Sequence, residues 1–177
     1  PCCKKALNIA KEKYPKDEAV LLKNLSEVYT EIKEYPQACT DLKRSLQIFQ
    51  TSGDDENRWR TLYGLAKNRD PLPDNAFSTD TLSSEHYYSR AMNLLERMAS
   101  EREKSGPRFS DQLDRWALYK DAALYFVDHG NSRKGLEVIE RGRQRQAADW
   151  MTQRPPQLKR ERHKIIWGNV RYLRSRL

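Results

Sequence analysis

Two apolar stripes of helical period, parted by a proline, constrain this chain more than any other feature. Between Ala19 and Ser52 the first stripe runs through Leu22, Leu25, Tyr29 and Ile32, and the second through Ala38, Leu42, Ser45, Leu46 and Phe49. Spacings of three and four put each set on one side of a helix, so each segment must bury its stripe against a neighbour to be stable. Pro36 suits the first turn of the second helix, where its missing N–H has no intrahelical partner. Gly53 is placed to close that helix as a left-handed cap. Ser26, Ala38 and Ser45 put small side chains where two helix backbones can approach closely.

The rest of the chain reads as more of the same. Asp54, Asp55 and Glu56 open a third helix, whose buried stripe is Trp59, Leu62, Leu65 and Ala66. Pro71 and Pro73 then begin an irregular insertion, about residues 69–83, in which Phe77 and Leu82 either dock back or meet a partner. A helix from about Ser84 to Lys104 presents Tyr87, Tyr88, Ala91, Leu94, Leu95 and Met98, and ends at Gly106 and Pro107. Ser110 caps the next, with Leu113, Trp116, Tyr119, Ala122, Ala123 and Phe126 on its face. After Gly130, Ser132 caps its partner, packed through Gly135, Val138, Ile139, Gly142 and Ala147.

This last pair answers the first at one constant offset of 97 residues: Ser26 with Ala123, Tyr29 with Phe126, Ala38 with Gly135, Leu42 with Ile139, and Ser45 with Gly142. Self-similarity over tens of residues is the mark of a solenoid. Residues 2–13, with Cys3, Leu7 and Ala10 on one face, read as the second helix of a preceding unit. The predicted fold is all-α, with antiparallel helix pairs stacked over residues 1–154 as a short right-handed solenoid, then a basic amphipathic helix over 155–177.

Leu22, Leu25, Ser26, Tyr29, Tyr35, Ala38, Leu42, Ser45 and Leu46 together resemble the tetratricopeptide repeat. That resemblance implies a protein-binding scaffold, not an enzyme, with its ligand held in a concave groove lined by the first helix of each pair. If Ser26, Tyr63 and Ala123 are equivalent, Lys23, Arg60 and Lys120 lie three residues earlier on the groove face, a ladder of cations suited to an acidic peptide. Glu27 and Lys67 complete the candidate partner-binding set. The family's carboxylate clamp usually adds an asparagine one turn after the first lysine; here Glu27, Gly64 and Leu124 hold those places, so a chaperone tail is not the expected ligand.

Charge divides the chain. Its formal net charge is +8, yet residues 131–177 carry 13 Lys or Arg against 4 Asp or Glu, leaving the remainder close to neutral. The run around Glu140, Arg141, Arg143, Arg145, Ala147 and Ala148, followed by Pro155 and Pro156 and a charged helix ending YLRSRL, resembles the junction between tetratricopeptide repeats and a caspase-like CHAT peptidase domain. That likeness implies a second reading, the regulatory arm of a protease whose catalytic domain would follow Leu177. In a third reading the same tail, with Trp150, Trp167 and Tyr172 among its cations, is a nucleic-acid adaptor.

No catalytic or cofactor site is written in the chain. His86, His129 and His163 fall in separate helical contexts, no Cys and His pair has zinc spacing, and the seven glycines are scattered rather than gathered in a phosphate loop. Three cysteines, two of them adjacent, suit a reducing cytoplasmic compartment better than a disulfide framework. No apolar run approaches membrane-spanning length. The absence of an initial methionine and the start inside a helical pattern predict a segment of a longer intracellular protein.

Overall fold

Prolines and glycines punctuate the backbone and so set its architecture. A computed structural model describes residues 14–73, 82–102 and 112–152. Its helices are α1 (Pro15–Glu31), α2 (Tyr35–Ser52), α3 (Asp55–Arg69), α4 (Ser84–Arg102), α5 (Gln112–Asp128) and α6 (Ser132–Thr152), with no strand among the described residues. Pro15 and Pro36 sit in the first turns of α1 and α2. Gly53 and Gly130 take left-handed φ values of 68° and 78°, a conformation that costs glycine least, and so end α2 and α5. The Asp54 carboxylate caps α3 by accepting the Asn57 N–H at 3.0 Å.

The helices form antiparallel pairs, α1 with α2, α3 with α4 and α5 with α6, and α2 packs on α3 to join the first two. The 97-residue offset extends to the helix starts, since Pro15 and Tyr35 are answered by Gln112 and Ser132. It extends to packing as well. The Ser45 hydroxyl donates to the Ala19 carbonyl at 2.8 Å, and at the equivalent crossing Gly142 lies directly on Trp116 and Tyr119.

A continuous core runs from α2 to α6. Leu42 and Leu46 join Trp59, Leu62 and Leu65, then Tyr88, Met92 and Leu95, then Leu118, Tyr119 and Phe126. Each large apolar side chain buried this way contributes roughly 1.5–3 kcal/mol. Ala19, Leu22, Ile48 and Phe49 make a smaller cluster between α1 and α2. Polar links brace the pairs: Arg141 of α6 bridges to both carboxylate oxygens of Glu96 and to Asn93 on α4, and Tyr119 of α5 donates to the same Glu96.

Several expectations are corrected in detail. The buried line of α1 is Ala19, Leu22 and Ser26; Leu25 and Tyr29 are only half-buried and Ile32 is 60% exposed. The small Ala19 and Ser26 let α2 approach closely, and this rotates the larger residues off the contact. Asn131, not Ser132, caps α6, accepting the Lys134 N–H at 3.1 Å, because the helix begins at Ser132, one residue earlier than a Ser132 cap requires. Ala147 is exposed, since α6 runs past the helices it packs on. Leu82 docks against the core, as does Leu72. Residues 2–13, Phe77, Ser110 and the C-terminal helix lie outside the described residues, and among those described no helix is long and apolar enough to cross a membrane.

Asp41 is a clear electrostatic cost in this packing. It is buried in α2, its Oδ2 has no hydrogen-bond partner, and its Oδ1 receives only a 3.5 Å contact from Gln37. Burial raises its carboxyl above the ordinary 3.8 despite that contact. The folded state therefore keeps the proton to a higher pH than the unfolded chain does, and the cost is complete once pH exceeds the raised value. Asp41→Ala should stabilise the protein at neutral pH by about 1 kcal/mol. The gain should shrink as pH falls towards 3.8, a trend that urea melts across that range would show.

Candidate functional site

The first helices of the pairs turn one side to a common cleft. Its volume is about 450 Å³, and its walls are Lys23, Ser26, Glu27, Thr30 and Glu31 from α1, Trp59, Arg60, Tyr63, Gly64, Lys67 and Asn68 from α3, and Ala117 from α5, with Leu42 of α2 between. Helical period explains the set. Lys23, Glu27, Thr30 and Glu31 recur at three and four residues, as do Arg60, Gly64, Lys67 and Asn68. Gly64 lies where α3 meets α2, and a Cβ there would stand 3.3 Å from both Leu42 methyl carbons, so Leu42 would have to give by a few tenths of an ångström.

Of the residues expected to meet a partner, Lys23, Glu27, Arg60 and Lys67 are brought together in this cleft. Lys120 is not on its wall; its Nζ lies 3.7 Å from Asp121 Oδ1 on the outer part of α5. The cations also differ in availability. Arg60 Nη1 lies 2.5 Å from Glu56 Oε1, which also accepts the Trp59 indole N–H at 3.0 Å, and the guanidinium rests 4.7 Å from the Trp59 ring centroid. Lys67 Nζ lies 3.8 Å from Asp121 Oδ2 and 5.5 Å from the Tyr63 ring centroid. Lys23 has no carboxylate within ion-pair distance among the described residues. The trough is therefore of mixed charge, with Lys23 its least compensated cation and Glu27 and Glu31 beside it.

Thr30 and Asn68 have no role in the sequence reading, and Tyr63 enters it only as the counterpart of Ser26 and Ala123. The Thr30 hydroxyl lies 2.8 Å from Asn68 Oδ1, and the Asn68 amide donates to the Gly64 carbonyl at 2.9 Å, tying α1 to α3 at one end of the cleft. Tyr63 Oη donates to Asp121 Oδ2 at 2.5 Å and ties α3 to α5. Asn68 near a helix end looks like a solvated terminus in sequence, and only the meeting of α1 with α3 reveals it as a buried bridge.

The cleft offers the half-buried Tyr63 ring, the ammoniums of Lys23 and Lys67 and the carboxylates of Glu27 and Glu31. Comparisons with protein-family models, curated proteins and solved structures find no match to this chain.

Proposed function

We propose that the chain is a tetratricopeptide-type scaffold that binds a segment of a partner protein in the α1–α3 cleft, with an acidic residue of that segment against Lys23. The observation that carries this reading is the convergence of Lys23, Glu27, Arg60 and Lys67, from two helices far apart in sequence, on one cleft beside the half-buried Tyr63 ring. Stacked pairs repeating at 97 residues, with a small residue at equivalent crossings, support the repeat-type architecture. Because Glu56 already holds Arg60, Lys23 carries the greater share of recognition. A partly shielded ammonium–carboxylate contact is stronger than an exposed ion pair.

Affinity selection of the chain against a random peptide library tests this directly. The expected outcome is a consensus with Asp or Glu next to an apolar residue that reaches the Tyr63 ring. A consensus without an acidic residue, or no enrichment, would contradict it.

A further inference from the structure

Among the described residues, the large apolar side chains left exposed lie only at the two ends of the stack, on α1 and its flanks and on α5 and α6. Val28 and Ile32 are 54% and 60% exposed at the first end, and Val127 and Leu136 are 47% and 67% exposed at the second. The helices between them, α2, α3 and α4, contribute none. We propose that the two ends receive each other, so that α1 of one copy of the chain stacks on α5 and α6 of a second copy, head to tail. Such a contact uses the ends of the stack and is independent of what the cleft binds.

The contact repeats one that the fold already makes between its first two pairs. In the register that sets Ser26 beside Tyr63, Leu25 and Val28 hold the places of Leu62 and Leu65, which α3 buries in the core it shares with Leu42 and Leu46 of α2. Gly64, next to Leu65, meets Leu42 directly. On α1 the same side leaves Val28 open. At the other end, the 97-residue register puts Leu136 and Ile139 in the places of Cys39 and Leu42, both buried where α2 packs on α3. Leu136 is exposed there and Ile139 half-buried. Val127 holds the place of Thr30, whose hydroxyl lies 2.8 Å from Asn68 Oδ1 of α3. The first end therefore carries the α3 half of this interface, and the second end carries the half supplied by α1 and α2.

Charge favours the same partner. Helix α1 has four acidic and two basic side chains, whereas α6 has five basic and three acidic. The end of a helical array is ordinarily closed by a polar outer face, and apolar residues left open there mark an interaction surface. A molecule that carries the complementary half at its opposite end is this chain itself. Because the two surfaces differ, the contact is heterologous, and each copy added leaves an end open for the next.

Sedimentation of the full chain over a concentration series tests this, with Val28→Glu and Leu136→Glu as variants. Both positions are exposed, so both variants should keep the parent's helical circular dichroism. The parent's average mass should rise with concentration beyond that of a dimer. Each variant alone should weaken self-association about tenfold or more, since a carboxylate then faces an apolar contact. Each variant keeps the end that the other has lost, so an equimolar mixture should form a dimer and nothing larger. A parent that is monomeric throughout, as it would be if another protein or another part of the chain covered these ends, would overturn the proposal. So would a parent that stops at a dimer, a variant that associates like the parent, or a mixture that stays monomeric.

Discussion

Gly142→Ala should destabilise the protein by about 2 kcal/mol even though alanine is the better helix former. Two effects oppose each other. Replacing a mid-helix glycine with alanine contributes about 1 kcal/mol in favour of the helix. Against this, a Cβ at position 142 would stand 2.7 Å from Tyr119 Cβ and 2.8 Å from Tyr119 Cγ. Tyr119 Cβ is fixed to the α5 backbone, so no rotamer change removes that clash and the helices themselves must shift. The shift would disturb the Arg141–Glu96 bridge one residue away and the burial of Tyr119, which is 1% exposed. Overpacking of this kind costs about 1–3 kcal/mol or more and outweighs the propensity gain. Gly142→Val should be worse still, since it adds branched bulk at the same crossing. Thermal melts should show a lowered midpoint for both variants, by about 2–4 °C for each kcal/mol. An unchanged or raised midpoint for Gly142→Ala would mean that α5 and α6 do not cross at this residue.

The comparison with position 45 explains why the two crossings use different small residues. Ser45 faces Ala19, which leaves room for a hydroxyl that satisfies the Ala19 carbonyl at 2.8 Å. Gly142 faces Trp116 and Tyr119, and only a residue without a side chain fits there. Larger residues on one helix are matched by a smaller one on the other, and spacing is conserved by volume rather than by identity.

Much of this was legible in the sequence because helix limits and buried stripes are local properties. Pro36, Gly53 and Gly130 marked their boundaries, and Leu42, Trp59, Leu62, Tyr87, Leu95 and Phe126 fell on periodic faces that the structure buries. On α1 the period alone misjudged the face, since Leu25, Tyr29 and Ile32 are as periodic as Ala19, Leu22 and Ser26. The choice between two adjacent stripes depends on which side α2 approaches, and small residues decided it. The site was legible only as a set of cations on the first helices. Which of them are compensated depends on carboxylates from their own or other helices, Glu56 for Arg60 and Asp121 for Lys67 and Lys120.

The cleft reading turns on Lys23, and the largest effect on binding is expected there. Lys23→Glu replaces the least compensated ammonium of the cleft with a third carboxylate beside Glu27 and Glu31, so an acidic ligand meets repulsion where it met attraction. The expected loss is about 2 kcal/mol or more, roughly thirtyfold in affinity. Lys23 is half-buried at the cleft wall and is not a core residue, so the variant should fold as the parent does. The most direct measurement is a charge-swap cycle on an acidic peptide selected by this chain, using the parent and Lys23→Glu proteins, each with the peptide and with its acidic residue changed to lysine. Either single swap should weaken binding about thirtyfold, and the double swap should restore most of the loss. Unchanged affinity for Lys23→Glu, or losses that simply add in the double swap, would contradict it.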